Sequence, residues 1–554
     1  MDVFGRLDVH LSCPTSPTNP NQIMALINRR QFHSGAALSV ATASTASMVW
    51  TGCSDAANPT PSRSANEQLG VVICGLNGRG GEHIRGFHAD PRTQIRAIVD
   101  IDAKVAQSRA DRIEKMQGLR PAVFADVREA LETDGIDILS CATPNHWHAL
   151  MGVWAMQAGK DLYLEKPISH NIHEGRALVA AAETYGRIFQ TGTQCRSSSG
   201  VVPAMQFLAD GGIGEVRFAR GLCYKRRKSI GPLGDYPIPA GVDFNLWSGP
   251  ATYNDPRLTR QRFHYDWHWQ RHYGNGDSGN QGPHQTDIAR WGLGLDRHPQ
   301  QILSYGGRLG YKAERNNPDY VDAGDTANTQ VAIFDYGDKT VVFETRGLDC
   351  TDSADKEINE LFGYTKGNKI GVIFYGSEGY LRQGPDYGTC VAFDKNKRPI
   401  REFKATSDIG DDHFGNFIDA VVSRDTSSLN ADARCGHLSA AMAHLGNISY
   451  YLGQSNEASA EQIAAAVEQI PSRDEDVATL RRTVTHLRDN GVDLSATPMS
   501  VGPLLRFDPD AERFLDNESA NALLTRQYRS GFEVPSAETI RGNAGQNSSA
   551  STVG

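Results

Sequence analysis

Lys166 closes a short apolar run, Asp161-Leu162-Tyr163-Leu164-Glu165-Lys166-Pro167, and the proline after it has no N–H to donate to a sheet. Leu162 and Leu164 alternate with their neighbours, which predicts a buried strand with the lysine at its carboxyl end. In open α/β sheets that edge is where ligands bind. An amine placed there can take or give a proton once burial lowers its pKa, and Glu165 can orient it. Two solvated charges at a strand end would look the same in isolation, so the company Lys166 keeps must separate the two readings.

The first companion lies upstream. An apolar run over 69–74 leads into Gly75-Leu76-Asn77-Gly78-Arg79-Gly80, then a helix-like stretch, then a second strand over 94–99 that ends on Asp100. Strand, glycine turn, helix, strand and carboxylate together predict a dinucleotide site. Gly75 permits the tight turn, Gly80 lets helix and strand pack closely, and a pyrophosphate would rest on unpaired N–H groups at the helix start. Asn77 stands where a second glycine normally lets backbone approach phosphate. Gly78 follows at once and Asn tolerates unusual φ, so a modified turn made of Gly75, Asn77, Gly78, Arg79 and Gly80 is expected. Asp100 would accept from the adenosine ribose and repel a 2′-phosphate, favouring NAD over NADP; a helix N-cap is its competing reading.

The α/β alternation continues with helices over 104–117 and 126–133 and strands over 122–124 and 136–142, the last running into Thr143-Pro144-Asn145-His146-Trp147-His148. A helix to 158, the Lys166 strand, a helix over 171–185 and a strand over 187–191 complete the pattern. Three strand ends, at Gly75, Thr143-Pro144 and Glu165-Lys166, should meet at one edge.

Further along, strands are predicted at 216–223, 301–306, 329–334, 340–345, 369–375 and 390–393, and long helices at 411–423 and 433–452. Between them lies a ring-dense stretch with Trp267, Trp269 and Tyr273, followed by a Gly/Asn-rich loop and a helix from 285. Rings interleaved with polar residues suit a sugar, whose C–H faces stack while its hydroxyls seek partners; plain core is the alternative.

Gly75 to Gly80, Asp100, Thr143 to His148 and Glu165-Lys166-Pro167 together resemble the Gfo/Idh/MocA oxidoreductase family, whose members use NAD(P) on sugars and cyclitols. Asp243 to Pro250 and Gly282 to Asp287 are also similar to family segments, so the likeness spans about residues 69–453. It implies an α/β fold: an N-terminal Rossmann-like doubly wound parallel sheet and a C-terminal α+β domain with a large open, mostly antiparallel sheet. It also implies that Thr143, Pro144, Asn145, His148 and Glu165 adjoin the cofactor. In that family an Asp-x-Gly-x-His motif joins the lysine around the substrate carbinol. Here His284 matches the histidine while Asn280 replaces the aspartate, so Lys166 and His284 inherit the acid/base work and Asn280 can only orient a hydroxyl. Asp287 is a reserve carboxylate for substrate, with a first-turn helix charge as its alternative.

The chain has 554 residues, 39% hydrophobic and 22% charged, with a formal charge of -9, enough for two domains plus tails. No broad basic stripe points to nucleic acid. Nine cysteines without a Cys-x-x-Cys pair suggest neither zinc nor a disulfide framework, and no metal is expected. Arg29-Arg30 before a mild apolar run over 34–50 reads as a twin-arginine export signal to the periplasm or envelope, with Cys53 as a possible lipid-anchor position. The expected division is signal and linker at 1–66, NAD(P)-binding domain at 67–192, substrate and oligomerisation domain at 193–455, extension at 456–535 and disordered tail at 536–554, with homo-oligomers implied by the resemblance.

Hydride transfer between a sugar or cyclitol carbinol and a tightly held nicotinamide cofactor is the leading expectation. Its alternatives are an NAD-dependent glycoside hydrolase working by transient oxidation, elimination and re-reduction, and a non-catalytic sugar-binding protein. Export bears on the choice, because outside the cytoplasm the cofactor would have to be retained and regenerated within each turnover.

Overall fold

The computed structural model describes residues 68–542 apart from 235, 253–261, 312–316 and 318; the export signal and Cys53 lie outside the described residues. Mostly apolar runs of three to seven residues build the first sheet: β1 (Leu69–Cys74), β2 (Thr93–Val99), β3 (Ala122–Phe124), β4 (Ile138–Cys141), β5 (Asp161–Leu164) and β6 (Phe189–Thr191), all parallel, in the order β3-β2-β1-β4-β5-β6. The order reverses at β1/β4, and that reversal opens a crevice at the carboxyl ends of the strands. The alternating helices are α1 (Gly80–Ala89), α2 (Ala103–Gln117), α3 (Val127–Leu131), α4 (Asn145–Gln157) and α5 (Ile172–Tyr185). Local chemistry sets their ends. Asp102 caps α2 by accepting from Lys104 N and Val105 N, Asn171 caps α5 through Glu174 N, and Gly118 and Gly186 close those helices in the left-handed conformation.

The second domain is a 12-stranded sheet. Its centre is β7 (Val216–Tyr224), β8 (Gln301–Gly307), β9 (Thr329–Asp335), β10 (Thr340–Arg346) and β11 (Lys369–Gly376), antiparallel except where β7 meets β10. Six of the twelve strands escaped the sequence pattern, among them β12 (Gly379–Gln383), which is short and opens on glycine, and β14 (Pro399–Lys404), an exposed edge of charged residues beside β13 (Thr389–Asp394). A proline at the first position of an edge strand costs no ladder bond.

One face of this sheet packs on the helix Gly282–Gly292 and on the long helix Ala433–Gly453, and the other on Ala460–Val467 and Asp476–Asp489 through Ile463, Val467, Leu480 and Leu487. The helix Ala433–Gly453 is lined by small residues and buried along most of its length. Ala440 joins the first domain's core, while Met442 and Leu445 join the second's. The helix Ile409–Ser423 packs onto the first domain, its Phe414 and Phe417 meeting Ile84, Phe87 and Tyr163.

The end of the chain corrects the expected disordered tail over its first residues. β17 (Leu505–Asp508) pairs with β8, after which the chain crosses to the first domain, where Phe532, Val534, Ala537 and Ile540 are buried with Trp147, Leu150 and Val153. Phe532, Val534 and Ile540, each contributing about 1.5–3 kcal/mol where fully buried, hold that strap in place together with the smaller Ala537. Ala537 and Ile540, three apart, give only one helical turn of pattern, too little to read in a Gly/Ser/Asn-rich sequence.

Candidate active site

The site grows from three strand ends. After β1 the chain turns through Gly75 and Gly78 at φ 79° and 77°, which side chains disfavour. A Cβ on Gly80 would lie 2.0 Å from Gly75 O, so glycine is required there for helix and turn to pack. The start of α1 has no side-chain cap, and Gly81 N and Glu82 N are taken up by Gly78 O (3.0 Å) and Arg79 O (2.9 Å), so an anion would be held by the positive end of the helix and the N–H groups ahead of them. Asp100 accepts from Leu76 N (2.8 Å) and Asp102 N (3.0 Å), bracing the turn from the end of β2. Burial pushes its pKa up. The N-cap role that competed for Asp100 belongs to Asp102.

Two adjoining cavities run from this turn. The smaller, about 100 Å³, is walled by Gly75, Asp100, Val127, Pro144 and Trp147 and roofed by Leu246 and Trp247 of the second domain. The larger, about 950 Å³, reaches Lys166, His284 and Tyr387. They share Asn77, Thr143, His264 and Trp267. The roof is anchored: Asp243 N donates to Ile101 O (3.1 Å), Trp147 Nε1 to Leu246 O (2.9 Å), and His264 Nε2 lies 3.1 Å from Asp102 Oδ2. A trench of this shape, with glycine turn, uncapped helix start and carboxylate at one end, fits a dinucleotide whose adenosine lies under the roof and whose nicotinamide reaches Lys166.

At the catalytic end, Glu165 is buried and receives Arg79 Nε (2.6 Å) and Gln194 Nε2 (3.2 Å), with His83 Nε2 at 3.3 Å. Burial alone would raise its pKa, yet Arg79, His83 and Lys166 hold it well below the usual carboxylate range. Lys166 Nζ donates to the main-chain carbonyl of Asn280. Burial lowers the lysine's pKa to about 8, against the opposing pull of Glu165. His284 lines the same cavity with Nδ1 buried and unpartnered, and burial with Lys166 nearby lowers its pKa to about 3. A base works best with a pKa near the operating pH, so of the two Lys166 is the better suited to accept a proton and His284 to serve as a neutral hydrogen-bonding ring.

The structure brings together Asn77, Gly78, Arg79, Thr143, Asn145, His148, Glu165, Lys166, Asn280, His284 and Trp267 on the larger cavity, and Gly75, Asp100 and Pro144 on the smaller. His148 directs Nδ1 at Pro167 O (2.6 Å) and Nε2 at Thr143 O (2.8 Å), so it also braces two of the strand ends. Asn280 meets the lysine through its main chain rather than its amide.

Three expected substrate contacts are corrected. Asp287 is buried in a bidentate pair with Arg196 (2.9 and 3.0 Å) and accepts from Ser439 Oγ; burial raises its pKa but Arg196 outweighs it, and the carboxylate is committed to structure. Trp269 is buried beneath the Arg227 guanidinium and lines neither cavity. Tyr273 packs against Trp247 (4.4 Å between ring centroids) and His146 in the core. The plain-core reading therefore holds for two of the three rings.

Sequence reasoning missed Tyr387, Gln194 and the roof. Tyr387 sits in Gly384-Pro385-Asp386-Tyr387-Gly388, a turn signal between two strands, one of which was itself not recognised.

Residues 69–193 match the Gfo/Idh/MocA family model, described as "Oxidoreductase family, NAD-binding Rossmann fold". Among curated proteins the chain is similar to an alpha-N-acetylgalactosaminidase of Shewanella oneidensis, 28% identical over 28% of this chain and 37% of the relative. It is also similar to a glycosyl hydrolase family 109 protein of Streptomyces coelicolor, 29% identical over 28% of this chain and 34% of the relative. The chain thus spans little over a third of the length of these relatives. Among solved structures, a levoglucosan dehydrogenase in complex with NADH and levoglucosan aligns with 68% of this chain and 95% of its own at TM-score 0.50 and 16% identity, a likeness of fold.

Proposed function

We propose that the protein is an NAD-dependent carbohydrate-active enzyme that cleaves a glycoside by transient oxidation of a sugar carbinol. The observation that carries this reading is Lys166: an amine with a pKa of about 8, fixed at a strand end between a dinucleotide-shaped trench and a cavity of about 950 Å³. Bound in the trench, NAD would accept a hydride from the carbinol carbon and later return it. Lys166 takes the hydroxyl proton as the carbonyl forms and gives it back when the carbonyl is reduced. The new carbonyl acidifies the C–H between itself and the anomeric carbon, so transfer of that proton to solvent water expels the aglycone with its bonding electron pair. Water then adds to the resulting double bond, and no net redox change remains. Arg79 and Glu165 orient the lysine from the glycine turn, and the roof at Leu246 and Trp247 restrains cofactor exchange.

The names of the glycoside-cleaving relatives favour this net reaction over a dehydrogenase that releases NADH. Purified full-length protein, denatured and assayed for released nicotinamide, should yield close to one NAD(H) per chain. With 4-nitrophenyl N-acetyl-α-D-galactosaminide it should release nitrophenol without net growth of reduced-nicotinamide absorbance. Stoichiometric NADH with no glycoside cleavage would identify a dehydrogenase, and protein unable to bind NAD would refute both.

A further inference from the structure

The cavity that Lys166 lines is also walled by a hairpin turn from the second domain. Tyr387 lies between β12 and β13 at φ 60°, in the left-handed region that costs a non-glycine residue about 1–2 kcal/mol. Asp386 holds the turn there: its Oδ1 accepts from Thr389 N (3.0 Å) and Gly388 N (3.3 Å), and its Oδ2 from the Thr389 hydroxyl. The result is a phenol on the cavity wall with its ring 5.1 Å from that of His284. Gln281 Nε2 donates to the phenolic oxygen. Gln285, one turn further along the same helix, also hydrogen-bonds the phenol, and a hydroxyl that accepts from an amide keeps one proton to donate. Gln281 Nε2 also donates to Gln285 Oε1 (3.4 Å), so a row of amides fixes the phenol on this wall of the cavity.

We infer that Tyr387 is a specificity-determining residue of the substrate site, donating its O–H to an oxygen of the sugar ring or its acylamino substituent while its ring holds His284 in place. Strain at φ 60° is retained because the turn must aim a phenol inward, against the base, so that the substrate is gripped between Tyr387 and Lys166. A turn-forming role alone would be met equally by asparagine, which tolerates this φ, or by a phenylalanine that keeps the ring.

This inference rests on the proposed carbohydrate activity, and the test keeps the two apart. NAD-loaded full-length wild type, Tyr387→Phe and Tyr387→Asn are compared for NAD affinity, melting temperature, and kcat and KM. The substrate is 4-nitrophenyl N-acetyl-α-D-galactosaminide or, if it is not turned over, the fastest of a panel of neutral sugars followed by NADH formation. Tyr387→Phe should retain NAD affinity and melting temperature while kcat/KM falls at least tenfold, mainly through KM, and Tyr387→Asn should fall further. Unchanged kcat/KM within twofold in Tyr387→Phe overturns the assignment and leaves the enzymatic reading standing. Equal loss of NAD affinity in both variants also overturns it, because the residue would then serve the cofactor or the fold. A wild type inactive on every substrate removes the proposed function and this inference with it.

Discussion

Replacing Glu165 with glutamine keeps the side chain's shape and removes one buried negative charge. Lys166 stands at a pKa of about 8 because burial, which disfavours its ammonium, exceeds the pull of Glu165. The drop from the usual 10.5 corresponds to about 3 kcal/mol between the charged and neutral forms. In the wild type about a tenth of the lysine is neutral at pH 7 and about nine-tenths at pH 9, so kcat/KM should rise roughly tenfold between them if the neutral amine is the base. An opposite charge nearby is worth about 1–3 pKa units, so Glu165→Gln should move the midpoint of that acid limb down by about one pH unit or more. Loss of the Arg79 pair should cost about 1–2 kcal/mol of stability, less than for a fully buried pair because the Arg79 side chain is 40% exposed. The assay is kcat/KM against pH from about 6 to about 10 for both proteins, with NAD saturating. An acid limb that stays put or moves up in Glu165→Gln would refute the assignment of Lys166 as the titrating base.

Other sites give independent checks. Asp287→Asn leaves Arg196 and Ser439 without their charged acceptor and should cost about 3 kcal/mol or more, read as lower denaturant resistance, with KM of the surviving native protein little changed. Gly80→Ala forces a Cβ to within 2.0 Å of Gly75 O and should abolish tight NAD binding in calorimetry. Phe532→Ala, in the strap packed on Trp147, should destabilise by about 3–5 kcal/mol in urea unfolding.

What could be read in the chain was what local sequence determines. The glycine turn, the strand that delivers Lys166 and the alternation of the first domain all depend on neighbours within a few residues, and each lies where its pattern placed it. The direction of a side chain on a helix or in an irregular stretch depends on what packs against it, and that cannot be read locally. Trp269 and Tyr273 therefore turned inward while Trp267 lines the cavity, and Asp287 met an arginine 91 positions earlier. Tyr387 reaches the site from a hairpin 221 residues after the lysine, and only the sheet's register brings it there. The division of labour changed for the same reason: Asn280 supplies a carbonyl, and the enclosure of His284 makes it a poor base.

Transient oxidation requires that the C–H between the new carbonyl and the anomeric carbon be broken and remade in every turnover. Cleavage of 4-nitrophenyl N-acetyl-α-D-galactosaminide in D2O, with the sugar product examined by NMR, tests this most directly. The account predicts deuterium at that carbon in each product molecule, and no turnover by Lys166→Met although it still binds NAD. Product carrying only the original hydrogen at that carbon would contradict it.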